Sequence, residues 1–327
     1  MAESPVLSRR ALVAAAGAAL APGGAKSASS RGIRFSEYTA QKGKVSLAMY
    51  RKREATSARL PVLFLVHGSS LSARSSYDLT VPGRDEYSMM NVFAGYGFDV
   101  WTMDHENYGK SSRTSANSDI ASGAEDLKAG IELIRRETGQ ARVHLFGESS
   151  GGLRAGVFAM AYPESVDRLV LAAFTYKGEG SPTLARRAEQ LDYYRSHNTR
   201  LRDREMIRSI YTRDKAGTTD PAVADVVADA ELKFGDQVPT GTYLDMTARL
   251  PVVDPAKVKN PVLLLRGEYD GIATVADLTQ FFTQLPGGDR QFIILPGAAH
   301  SLVTCINRRQ MWHTVRAFLQ MPPAIAS

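Results

Sequence analysis

Cysteine is nearly missing from this chain: Cys305 is the only one among 327 residues. A single thiol excludes an intramolecular disulfide and any metal site built from several thiolates, so the fold must stand on packing alone. Histidine is scarce too, at six residues, few enough for each to be weighed separately as a base. Charge of one sign is not concentrated anywhere. The formal net charge is +6, the first thirty residues contribute three cations and one acid to it, and no basic stripe interleaved with aromatics occurs, which argues against nucleic acid as a partner. No apolar run reaches the roughly 20 residues that a bilayer-spanning helix needs, so stable membrane insertion is not expected. Apolar residues, by contrast, make up 44% of the chain, enough for a sizeable core at this length.

Residues 1–30 differ in kind from the rest. The stretch "SRRALVAAAGAALAPGGAKSASS" sets a twin arginine before a short Ala-rich segment and then small residues. It resembles a bacterial twin-arginine export signal, with cleavage expected near Ala25 or Ala28, although it lacks the lysine that follows the apolar pair in the fuller motif. The resemblance implies handling by export machinery and a periplasmic or secreted protein.

Beyond it, short apolar runs alternate with amphipathic segments, the pattern of parallel strands crossed by helices. "KVSLAMYR" (Lys44 to Arg51) alternates like a half-buried antiparallel strand. "PVLFLVHG", "FDVWTMD", "RVHLFG", "RLVLAAF", "PVLLLRG" and "RQFIILPG" are apolar at nearly every position, as strands covered on both faces must be. Residues 118–138 carry apolar side chains at helical spacing, with Gly139 as the stop. The rhythm stalls between about Tyr176 and Leu250, where "RRAEQLDYYR" and "RLRDREMIR" read as amphipathic helices with little core of their own. The expected organisation is an α/β core from residues 31–175 and 251–327, with a helical cap inserted at 176–250.

The chemistry centres on "VHLFGESSGG" (Val143 to Gly152). Gly147-Glu148-Ser149-Ser150-Gly151 fits G-x-S-x-G between an apolar strand and a helix, so Ser149 sits on a sharp elbow with its hydroxyl above the sheet. A serine hydroxyl needs a base. His300 stands alone on the loop "LPGAAHSL" after the last strand, where its ring can reach Ser149, whereas His144 lies inside a strand. The acid that orients the imidazole is expected at Asp270 in "GEYDG", with Glu268 and Glu179 as alternatives. The oxyanion needs two N–H donors. The backbone of Ser150 offers one, and the "HGSS" loop offers the other, from Ser69 in preference to Ser70.

With these motifs in this order, the chain resembles a serine hydrolase of the α/β-hydrolase superfamily, from about Val62 to the terminal helix. The resemblance also covers "DHENYGKS" at Asp104 to Ser111, whose Asp104 and Ser111 it makes scaffolding. It implies a mostly parallel sheet flanked by helices, no cofactor and no metal, and hydrolysis of a carboxylic ester through an acyl-enzyme. Amides, lactones and carbon–carbon bonds are alternatives for the same triad, and ligand binding without turnover is another use of the fold. Tyr176, Tyr194 and Tyr243 are the expected lining of a pocket for a small, largely apolar or aromatic ester.

Overall fold

Five of the six runs that are apolar at nearly every position become strands largely buried on both faces, but "RQFIILPG" does not: Arg290–Leu295 is the edge strand, half-covered over most of its length, with Ile294 exposed. In the computed structural model, which describes Met1 and residues 32–322, the first half of the core is β1 (Ile33–Lys42), β2 (Val45–Glu54), β3 (Val62–Val66), α1 (Ala73–Tyr77), α2 (Met89–Gly95), β4 (Asp99–Met103), α3 (Ile120–Thr138), β5 (Val143–Glu148), α4 (Ser150–Ala161) and β6 (Val166–Ala172). The cap follows as α5 (Pro182–Ala188), α6 (Leu191–Ser196), β7 (Thr199–Leu201), α7 (Arg204–Thr212), α8 (Pro221–Glu231), β8 (Gln237–Pro239) and α9 (Gly241–Ala248). The core then resumes with β9 (Val262–Gly267), α10 (Val275–Gln284), β10 (Arg290–Leu295) and α11 (Arg308–Leu319). The expected export signal lies outside the described residues, apart from Met1.

Eight strands form one sheet in the order β1-β2-β4-β3-β5-β6-β9-β10. β1 and β2 run antiparallel to their neighbours, and every pairing from β4 to β10 is parallel. Every residue of β3, β4 and β9 is buried. β1 is the strand of this sheet that sequence reading leaves out. Its residues are exposed or half-covered apart from buried Ala40, and it is held by a ten-residue register on β2 across the Gly43 turn.

A core lies on each face of the sheet. On one side α3, α4 and α10 supply Leu127, Leu153, Phe158 and Phe281; on the other, α2 and α11 supply Phe93, Met311, Trp312 and Val315. α3 starts at an Asp119 cap that accepts the Ser122 N–H and stops at Gly139, whose φ of 66° suits a residue without a Cβ.

The cap's apolar clusters are shared with the body beneath it. Ile207, Ile210 and Val227 pack with Leu79 and Tyr87, while Tyr194 and Tyr243 pack with Tyr108. β7 and β8 add a short antiparallel ribbon to it, too brief for a period-2 pattern to reveal.

The chain crosses from β3 to β4 on one side and then to β5 on the other. The loops after β3, β5, β9 and β10 therefore gather at the carboxyl end of the sheet, where such a reversal opens a crevice.

Candidate active site

Ser149 occupies the turn between β5 and α4 with φ 60° and ψ −127°, a region that L-residues avoid unless their surroundings hold them there. Its N–H donates to Ala172 O (2.8 Å). Gly151 makes the approach possible, because a Cβ there would strike the Val66 carbonyl. The hydroxyl remains half-buried and open to the crevice.

The two loops after β9 and β10 bring the base and the acid to it. His300 Nε2 lies 3.0 Å from Ser149 Oγ, and His300 Nδ1 lies 2.9 Å from Asp270 Oδ1. A ring that donates from Nδ1 to the carboxylate leaves Nε2 to accept the serine proton, which is the tautomer nucleophilic attack requires. Burial pushes the Asp270 carboxyl up, but the His300 ring, the Ile272 N–H (2.9 Å) and Arg266 outweigh it and hold the group below its ordinary value. The alternatives lie elsewhere. Glu268 accepts the Gly297 N–H (2.8 Å), and Glu179 projects into solvent 3.9 Å from Lys177 Nζ.

Two supports escape sequence reading. Arg266 is buried and donates to the carbonyls of Gly267, Glu268, Asp270 and Ala273, so one guanidinium shapes the whole acid loop. Glu148 accepts the Leu302 and Val303 N–H groups (2.8 and 3.3 Å), tying the His300 loop to the elbow. The variable position of G-x-S-x-G carries no signal for that role; only the fold brings residue 302 beside it.

Ser150 is the first residue of α4, where an N–H has no carbonyl one turn back to bond. The Ser69 N–H donates to no protein acceptor among the described residues. Both therefore remain available to an oxyanion. Ser69 Oγ also donates to Ser150 Oγ (2.8 Å), with both residues buried. The Ser150 side chain thus links the two donor segments and is not idle.

Of the three tyrosines expected to line a pocket, Tyr194 and Tyr243 border a cap cavity of about 350 Å³. Tyr176 does not. Its ring packs edge-on against Phe281 (5.4 Å between centroids), and its N–H is held by Asp277 (2.9 Å). Asp104 accepts from Tyr50 Oη and the Ala73 and Lys110 N–H groups, while Ser111 Oγ donates to Asp104 O; both are fully engaged in scaffolding.

Beneath the elbow, His67 and His105 are fully buried with ring centroids 4.7 Å apart. Burial pushes both well below the ordinary histidine value, reinforced at His67 by the adjacent His105 ring and Arg154 and at His105 by Arg154 and Lys42. The folded protein keeps them neutral while the unfolded chain takes up protons near pH 6.5. Their contribution is therefore complete above that pH and is lost as pH falls, by up to about 1.4 kcal/mol per unit for each ring. The raised carboxyls of Asp104 and Glu148 act in the opposite sense, since burial makes the folded protein take up these protons before the unfolded chain does. Thermal unfolding should show Tm falling by roughly 5 °C from pH 7.5 to 5.5. A flat Tm would mean that protons reach these rings in the folded state.

Residues 84–304 match the family model of serine aminopeptidase, S33. The chain belongs to this family of α/β-hydrolase serine hydrolases. A 2-hydroxy-6-oxononadienedioate/2-hydroxy-6-oxononatrienedioate hydrolase of Paraburkholderia phymatum is 34% identical to this family member over 131 residues. That stretch is 39% of this chain and 40% of the relative's length. Two solved structures share the fold. E-2-(acetamidomethylene)succinate hydrolase superposes with a TM-score of 0.64 at 18% identity, covering 88% of this chain and 100% of that one. A bacterial membrane phospholipase A superposes at 0.66 with 19% identity, covering 89% and 86%.

Proposed function

We propose that the protein hydrolyses an ester of a small organic anion through an acyl-enzyme on Ser149. The observation that carries the reaction is the unbroken chain from Asp270 through His300 to Ser149 Oγ, at 2.9 and 3.0 Å. His300 takes the serine proton as Oγ attacks the carbonyl, gives it to the departing alcohol, and then activates water to release the acid. The Ser69 and Ser150 N–H groups receive the charge that develops on the carbonyl oxygen.

The anionic character departs from the apolar substrate expected from sequence, and the cap cavity is the reason. Arg186, Arg187, Arg200 and Arg213 line it with Tyr194 and Tyr243. Arg187 and Arg200 lie 4.8 and 4.9 Å from the Tyr243 ring centre. Only Arg213 has an ion-pair partner among the described residues, Asp214 at 3.4 Å. Burial and then Arg213 push the Arg187 guanidinium down to about 10, a cost that a bound carboxylate would relieve. Tyr243 also touches the loop over the serine, through Ser70 Oγ at 2.8 Å.

Cleavage of a carbon–carbon bond beside a ketone is a second reading. It is favoured by the Paraburkholderia relative, whose substrate name denotes a keto acid with two carboxylates and no ester.

Turnover of p-nitrophenyl butyrate, mono-p-nitrophenyl glutarate and a 2-hydroxy-6-oxodienoate discriminates these readings. The glutarate ester should be preferred over the butyrate, and Arg187→Met should raise KM for the glutarate about tenfold or more while leaving the butyrate within threefold. A preference for butyrate in both enzymes would remove the anion from the proposal, and turnover of the dienoate alone would favour the second reading.

A further inference from the structure

Four successive carbonyls of the loop after β3 are each held by a side-chain donor. His67 O accepts from Arg154 Nη1 (3.0 Å), Gly68 O from the His67 ring (2.8 Å), Ser69 O from Tyr108 Oη (2.8 Å) and Ser70 O from Arg202 Nη1 (3.2 Å). In a trans peptide the N–H points away from the carbonyl of the preceding residue. Each held carbonyl fixes the N–H of its own peptide plane, so Gly68 O sets the Ser69 N–H, while the bonds on Ser69 O and Ser70 O hold the two planes that follow it.

Three of the donors belong to the body of the protein, and Arg202 belongs to the cap. It is 2% exposed and pairs at 2.5 Å with Glu231, which is fully buried at the end of α8. Glu231 Oε2 in turn accepts from both the Ser72 N–H (2.9 Å) and Ser72 Oγ (2.7 Å). The remaining side of Arg202 is anchored within the cap, through Nη2 to Gly235 O (2.7 Å). A buried ion pair is poor evidence for stability, because removing both charges from water opposes their attraction. Here the two members of the pair end two residues apart on the same loop, Arg202 on Ser70 and Glu231 on Ser72.

We propose that Arg202 and Glu231 are positioning residues that carry the placement of the cap into the oxyanion loop, so that the Ser69 N–H is aimed at the reacting carbonyl only when the cap is seated. This rests on Ser69 as an oxyanion donor in the proposed hydrolysis. Groups that fill the cap cavity then raise kcat as well as lowering KM, since their binding energy is expressed in the transition state.

The test uses Glu231→Gln, Arg202→Lys and the double replacement Arg202→Met with Glu231→Met in the full-length protein. The last removes both charges at once, a change that cores often tolerate. Expected for p-nitrophenyl acetate is a fall in kcat of about 10- to 100-fold, with KM within threefold. The inhibition constant of phenylboronic acid, whose tetrahedral adduct on Ser149 places an oxygen in the oxyanion site, should rise by the same factor. A purely structural role would lower Tm without that parallel. Unchanged kcat and inhibition constant in variants that fold, with Ser149→Ala inactive, would overturn the proposal and leave the hydrolase reading standing. An active Ser149→Ala would instead overturn the hydrolase reading itself. Loss of cooperative unfolding in all three variants would also overturn the proposal, by making the pair a folding element.

Discussion

Ser149→Ala lowers kcat by about a million-fold, and Ser150→Ala lowers it by about tenfold. The two serines are adjacent, so the contrast tests the placement of the elbow directly. Of the two hydroxyls only Ser149 Oγ is hydrogen-bonded to the imidazole, at 3.0 Å, and without it there is no acyl-enzyme. What remains is the modest catalysis that binding and the oxyanion donors give alone. Ser150 contributes its N–H, which alanine keeps, and its hydroxyl, which alanine loses. Because that hydroxyl accepts from buried Ser69 Oγ, its removal leaves a buried donor without a partner and loosens one oxyanion segment against the other. The loss should fall in kcat and not in KM. Labelling with a fluorophosphonate, mapped by mass spectrometry, should find Ser149 in the parent and in Ser150→Ala, and nothing at either position in Ser149→Ala. Equal losses in the two variants would mean that the elbow is misplaced by one residue.

Much of this architecture is legible in the sequence because each feature is local. A strand covered on both faces must be apolar along nearly its whole length, as β3 is throughout and β9 is up to Arg266, and an elbow serine must have glycines where backbone passes backbone. The triad is readable because its three members sit on loops that follow apolar runs. What sequence reading misses is set by distance along the chain. Glu231 reaches Ser72 across 159 positions, and Glu148 reaches Leu302 across 154. Nothing in "RLRDREMIR" separates Arg202, sealed inside the cap, from Arg204 and Arg208, which pair with aspartates in solvent. A charged helix ordinarily shows those charges to water, and the same prior turns the cap's arginines into solubility when they instead converge on a cavity. Tyr176 errs in the opposite direction: an aromatic placed just after a strand can face the crevice or the core, and the ring of Phe281 and the carboxylate of Asp277 draw it to the core.

Asp270→Asn should cost about a thousand- to ten-thousandfold in kcat at neutral pH, while Glu179→Gln and Glu268→Gln stay within threefold. Asp270 Oδ1 accepts from both His300 Nδ1 and the Ile272 N–H, whereas Oδ2 is buried with no partner. The Ile272 N–H therefore selects the amide orientation in asparagine, oxygen toward the histidine, so the productive tautomer survives in part. What is lost is charge. The imidazolium that forms as Ser149 attacks no longer faces a carboxylate in a dry pocket, and the amide nitrogen takes a buried position where nothing accepts from it. In the parent, the lowered Asp270 carboxyl stays ionised throughout the neutral range, so its charge is present whenever His300 acts as base. Measured kcat and the rate of fluorophosphonate labelling should fall together in Asp270→Asn, since both require the same proton transfer from Ser149. Near-parent turnover in Asp270→Asn with a crippled Glu179→Gln would move the orienting acid to the loop after β6, where Glu179 now points into solvent.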